Sequence, residues 1–231
     1  VAGLFVFFHY RGLKASILAG ILIALAFFTK QSAALIMLPV IAAWMLIDHR
    51  KALITGGVSL LLIGIGVIWL HVQSGWWSTF FIFEVPSGHG WNGRVWQFWG
   101  AEMLKPLGVL CLFSAILLWQ LYREDKKKAC AYAGLALGMI GGSFLMRLHS
   151  YSYLNVLMPA HAALALLGGL MIAHAIKTQT KTHITLVAAA VQLGMLIYNP
   201  LPLIPTQEDV KTGAKFLEEI RQIDGEVLMP E

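Results

Sequence analysis

Three groups of polar residues interrupt an otherwise apolar chain, and each has a side-chain set able to do chemistry. The first is Lys30, within Phe27-Phe28-Thr29-Lys30-Gln31-Ser32-Ala33 between two apolar runs. An ammonium there can pair with a phosphate at headgroup depth. It can equally be a snorkelling lysine that marks a helix end. The second group runs from Arg147 to Pro159 and contains His149, Tyr151 and Asn155. Arginine can hold a phosphate through two parallel hydrogen bonds, and His149, Tyr151 and Asn155 offer partners to sugar hydroxyls. The same residues also suit a plain polar connection capped by Asn155. The third group is Glu84-Val85-Pro86-Ser87-Gly88-His89. One carboxylate and one imidazole at this spacing allow acid/base work or metal ligation, or they decorate a solvated turn.

Other polar residues read as structural. His161 and His174 lie inside an apolar run, and His71 falls near a helix end. Glu102 and Lys105 are about one turn apart and suited to pair with each other. Gly134, Gly138 and Gly142 recur every four residues, which lets a second helix backbone approach closely. Cys111 and Cys130 form no C-x-x-C pair, so neither a metal site nor a disulfide is favoured. No phosphate-binding loop, nucleophile elbow or zinc-protease motif occurs.

The elements that position these groups follow from composition. Of 231 residues, 58% are hydrophobic and 13% charged, against about 25% charged in an average soluble domain. Residues 52–83, 129–146, 148–176 and 184–206 contain no Asp, Glu, Lys or Arg. Uncharged runs of this length read as membrane spans. The pattern predicts an all-α polytopic membrane protein with about seven spans, near residues 15–29, 32–47, 53–71, 106–122, 129–146, 156–175 and 184–198. Residues 1–8 read as the end of a preceding span, so residues 1–199 form one transmembrane domain. Pro106 is placed to open a helix.

Residues 200–231 differ in kind. Thr206 and Asp209 make a capping-box-like start, and Val210, Ala214, Leu217 and Ile220 then follow helical spacing. Val227-Leu228-Met229 reads as a strand, so this tail is expected to begin a soluble α/β or α+β domain. With Val at position 1 and a tail that stops in a strand, the chain reads as an internal piece of a longer protein.

The net charge of +5 sits in short clusters between apolar runs, a pattern of membrane orientation rather than of nucleic-acid binding. Arg11, Lys14, Arg50, Lys51, Arg123, Lys126, Lys127, Lys128, Lys177 and Lys181 fall in alternate connections, which the positive-inside rule assigns to the cytoplasm. Lys30, the aromatic-rich 72–105 loop, the connection after Arg147 and the C-terminal tail are thereby expected on the extracytoplasmic side. Transport or flipping of a lipid-linked or anionic solute and a non-catalytic membrane scaffold also fit this pattern. The absence of a visible internal repeat favours an enzyme over a transporter.

Several of these segments carry a resemblance. Ala26-Phe27-Phe28-Thr29-Lys30-Gln31-Ser32, running on through Leu38-Pro39-Val40, resembles the G-L-A-x-x-T-K-x segment of GT-C-type polytopic membrane glycosyltransferases. The branch it resembles is the protein mannosyltransferase and aminoarabinose transferase superfamily. Glu84 to His89 is similar to an outer-loop element of bacterial members. Arg147-x-His149 followed by Asn155-Val156-Leu157-Met158-Pro159 resembles their N-x-L-M-P span start. Residues Asn199 to Pro205 with Asp209 are similar to their junction with an extracytoplasmic domain. The resemblance covers most of the chain through short motifs. It implies a glycosyltransferase that moves a sugar, usually with inversion, from a polyprenyl-phosphate donor to an acceptor glycan, lipid or protein outside the cytoplasm. It implies a multi-pass protein of a bacterial inner membrane, with membrane lipids as partners and nucleic acid excluded. The catalytic carboxylate is expected upstream of Val1, which would leave this piece inactive alone. Lys30, Arg147 and His149 would face the donor phosphate and His89 a neighbouring contact, with Tyr151 and Asn155 as further substrate-binding positions. No cofactor is assignable, and a divalent metal is compatible with the family.

Overall fold

A computed structural model describes residues 2–88, 90–150, 152–179 and 181–223. Its long elements are α1 (Ala2–His9), α2 (Leu13–Thr29), α3 (Ser32–Ile47), α4 (His49–Ser74), α5 (Lys105–Glu124), α6 (Lys126–Leu148), α7 (Met158–Thr178), α8 (Thr182–Met195) and α9 (Gln207–Arg221). Among the described residues there is no strand, and a single isolated bridge joins Trp91 to His149. The fold is that of an all-helical membrane protein. Four helical stretches are long and apolar enough to cross a bilayer: His49–Ser74, Gln97–Glu124, Lys126–Leu148 and Leu154–Thr178. The expectation of seven spans is corrected to these four plus three shorter apolar helices, α2, α3 and α8, of 17, 16 and 14 residues. A helix needs about 20 residues to cross the hydrocarbon. The break at Lys30-Gln31 cuts one apolar run into the two pieces α2 and α3.

Tight helical pairing follows from small residues. A Cβ on Gly138 would stand 2.2 Å from the Ile36 carbonyl oxygen, and one on Gly134 would stand 2.4 Å from the Ala43 Cβ. Gly142 likewise faces Ile36 at 3.0 Å. The glycine stripe therefore serves packing of α6 antiparallel against α3, as its spacing predicts. Parallel α2 and α4 meet in the same way at Gly20, and there Thr55 and Ser59 donate to the Ser16 and Gly20 carbonyls at 3.1 Å. Both hydroxyls are buried, and backbone carbonyls satisfy them in place of water.

The chain weaves so that connections alternate between two ends of the 1–193 unit. Gly12, Asp48, Asp125 and Gln179 mark one end, and Lys30, residues 75–88 and 90–104, and residues 149–150 and 152–157 mark the other. The segment expected as a loop over residues 72–105 is largely helical. Residues 77–87 form helical turns, and Gln97–Leu104 is wound as a π-helix that runs directly into α5. The join is broken at Leu107, whose φ/ψ of −127°/21° is not helical. Buried Gln192 of α8 fills the break: its Nε2 donates to the Pro106 carbonyl at 2.7 Å, and its Oε1 accepts the Leu110 N–H at 3.3 Å. Pro106 and Leu110 are an i, i+4 pair, so the side-chain amide takes the place of one rung of the helix ladder. Gln192→Leu leaves both backbone groups without that partner. It is expected to lower unfolding free energy by about 2 kcal/mol, measurable by denaturant titration in detergent.

The 194–231 unit is described on its own. Thr206 caps α9 through a reciprocal pair with Asp209: Thr206 Oγ1 accepts the Asp209 N–H at 3.2 Å, and Asp209 accepts the Thr206 N–H at 2.7 Å. The capping box read from the sequence is present. The described part of the tail has one α-helix of any length and no strand and so gives no support to an α/β or α+β domain; the strand expected at residues 227–229 lies outside the described residues.

Candidate functional site

α6 ends at Leu148 and hands the chain to a short extended segment that pairs with residues 90–92. The Asn92 N–H donates to the Leu148 carbonyl at 2.6 Å, and the Ser150 N–H donates to the Gly90 carbonyl at 2.8 Å. Half-buried His149 packs at a tilt of 39° on Trp91 with ring centroids 4.4 Å apart. This pairing fixes the rim of a cleft of ≈ 680 Å³ lined by Asn92, Arg94, Gln97, Arg147, Ser152 and Leu154 among others.

Arg147 forms the wall of that cleft. Its Nε donates to both Glu102 carboxylate oxygens at 3.0 Å, and its Nη2 donates to Oε1 at 2.6 Å. The side chains are only 6% and 9% exposed. Nη1 donates to the Ser152 carbonyl at 2.8 Å, and Gln97 Nε2 adds a third donor to Glu102 Oε1 at 2.9 Å. Glu102 therefore pairs with Arg147, not with Lys105 as its local spacing suggested. π-Helical winding over residues 97–104 changes which residues share a face, and Glu102 turns toward α6. The guanidinium is neutralised within the fold and ties the π-helix, α6 and the 149–157 connection together.

Arg94 is the cation left to the cleft. It is half-buried, and among the described residues its side chain's one hydrogen bond is a long 3.5 Å approach of Nη1 to the Ser152 carbonyl, while its charge also acts on nearby Glu102. Lys30 is exposed, in an extended residue that ends α2, at the same end of the unit. Thr29 and Ala33 on either side of it line an apolar groove of ≈ 470 Å³ between α1, α2, α3, α6 and α7. Met158 and Pro159, at the start of α7, line the far wall of that groove. Leu154, one turn earlier, lines the polar cleft. The polar cleft thus reaches the first residue of the 3₁₀ turn Leu154–Leu157, and the apolar groove reaches Met158, the residue that follows the turn.

Asn155 sits exposed in this turn, and its side chain caps no helix. Glu84 is exposed on the helical turns after α4, and its backbone carbonyl accepts the Ser87 hydroxyl at 2.8 Å. His89 and Tyr151 lie outside the described residues. Among the described residues, no group of three or more His, Cys, Asp or Glu side chains is placed to hold a metal ion. Sequence reasoning missed Glu102 and Ser152 as the partners that hold Arg147, and Gln97 as a second donor residue to Glu102. Only the position of Glu102, an acidic residue at the foot of an apolar run, carried a signal.

These features define a multi-pass helical membrane protein with an amphipathic pair of cavities at one end. Comparison with protein-family models, with curated proteins and with solved structures finds no match for the chain.

Proposed function

We propose that this chain is the membrane part of a glycosyltransferase that takes a sugar from a polyprenyl-phosphate donor. One observation carries the reading: a polar cleft holding Arg94 and an apolar groove flanked by Lys30 meet the chain four residues apart, at Leu154, which opens a 3₁₀ turn, and at Met158, which follows it. A lipid-linked sugar phosphate has this two-part chemistry. Its isoprenoid tail needs apolar surface, and its phosphate and sugar need cations and hydrogen-bond donors. Arg94 is the group best placed to take the phosphate, with Lys30 at the mouth of the groove. Asn92, Gln97 and Ser152 supply partners for sugar hydroxyls. Arg147 acts through position, because Glu102 already satisfies its charge. The site end is extracytoplasmic in this reading, since the clustered basic residues lie at the opposite end and favour the cytosol.

The test is transfer of radiolabelled sugar from polyprenyl-phosphate donors by the full-length protein in vesicles. Arg94→Ala removes a charged donor, worth about 1.5–3 kcal/mol, and is expected to cut transfer at least tenfold with the melting temperature unchanged. Wild-type rates in that variant would remove Arg94 from the site. Movement of labelled lipid between leaflets with no sugar transferred would replace the enzyme with a flippase.

A further inference from the structure

The opposite end of the 1–193 unit carries a second polar cavity that the proposed function does not use. It is a cleft of ≈ 640 Å³ between the end of α1, the α3–α4 junction and the start of α6. Four cationic side chains line it, Arg11, Lys51, Lys127 and Lys128, against two carboxylates, Asp48 and Asp125. Both carboxylates are occupied as helix caps. Asp48 accepts the Lys51 N–H at 3.0 Å, and Asp125 accepts the Lys127 and Lys128 N–H groups at 3.1 Å each. Those backbone bonds, that of Lys128 first, hold the Asp125 carboxyl below the usual carboxylate range.

The cations divide in the same way. Buried Lys51 donates to the Phe7 and Tyr10 carbonyls, and its Nζ lies 4.3 Å from the Trp44 ring centroid. Lys128 pairs with Asp125 at 3.3 Å. Arg11 and Lys127 are exposed, and their side chains have no hydrogen-bond or ion-pair partner among the described residues. Trp44, another lining residue, has a buried indole N–H with no acceptor. Beneath the cations lie rings: Phe8 packs on Trp44 at 5.6 Å and on Tyr132 at 6.0 Å between centroids. Two uncommitted cations and an unfilled donor over an aromatic floor, at the level where a membrane helix meets water, match one anionic headgroup with its glycerol and upper acyl chain.

We propose that this cleft binds the headgroup of an anionic phospholipid from the leaflet at that end. The phosphate sits between Arg11 and Lys127, the Trp44 N–H meets a glycerol or phosphate oxygen, and the acyl chains descend along the apolar helix surface. Basic cavities between membrane helices take anionic headgroups for this electrostatic reason. Attachment is reversible and needs no covalent step.

Native mass spectrometry of the protein in detergent, titrated with phosphatidylglycerol or with phosphatidylcholine of identical chains, tests the site. Phosphatidylglycerol is expected to bind at about tenfold lower concentration. In Arg11→Gln/Lys127→Gln that preference disappears, while Lys211→Gln/Lys215→Gln on α9 keeps it. Neither Arg11 nor Lys127 holds the fold together, and the wild-type comparison needs no variant. Equal binding of the two lipids overturns the proposal, and so does a preference that survives in Arg11→Gln/Lys127→Gln. Displacement of phosphatidylglycerol by equimolar glycerol phosphate also overturns it, since the ligand would then be a soluble anion.

Discussion

Arg147→Ala lowers the unfolding free energy by about 3 kcal/mol, the cost of leaving the Glu102 carboxylate buried without its partner. The cleft beside the pair admits some water, which places the value at the low end of what breaking a buried ion pair costs. Glu102→Leu/Arg147→Met removes both charges and keeps apolar volume, so it recovers most of that loss. Denaturant titration of the three proteins in one detergent decides the matter. The sequence-based expectation, in which Arg147 serves the donor phosphate directly, predicts the reverse: wild-type stability with transfer lost. That outcome would mean the guanidinium faces ligand and not Glu102.

Gly138→Ala has the second large effect. The new methyl meets the Ile36 carbonyl oxygen, a backbone atom that cannot swing aside. α3 and α6 must separate, at about 2–3 kcal/mol, the range for overpacking a tight interface. Gly169→Ala on α7 is the matched comparison, because nothing lies within 4 Å of the added Cβ. There the helix gains up to about 1 kcal/mol from the better propensity of alanine. If both variants lose the same amount, the close approach of α3 to α6 is not what holds that pair.

Much of the helical architecture is legible in the sequence because burial in lipid is written as composition. Uncharged runs locate α4, α5, α6 and α7, and the Gly134, Gly138, Gly142 stripe marks the face of α6 that meets α3. The clustered basic residues fall in alternate connections, and the fold brings Arg11, Lys51, Lys127 and Lys128 together at one end, away from Lys30, Arg94 and Arg147. What stays hidden depends on contacts between distant positions. Glu102 and Arg147 are 45 residues apart, and local reading offered Glu102 a nearer partner in Lys105. That choice assumed α-helical winding, which the π-helix over Gln97–Leu104 removes. The helices at Ser32–Ile47 and Thr182–Met195 fall close to the expected segments but are shorter than the four span-length helices, because hydropathy reports what lipid tolerates and not whether a helix is long enough to cross it. The candidate site divides along the same line. Lys30 and Arg94 stand out as cations at the edges of apolar runs, but nothing local separates Arg94, free to meet a ligand, from Arg147, already neutralised.

The amide of Gln192 has a bearing on the order of assembly. Because it closes the gap between Pro106 and Leu110, α5 remains an unfinished helix while the ribosome makes the next eighty residues. Two backbone groups stay open until α8 threads into place. A segment translated late thereby completes one translated early, and a nascent chain arrested before residue 192 would hold α5 in a looser, protease-sensitive form.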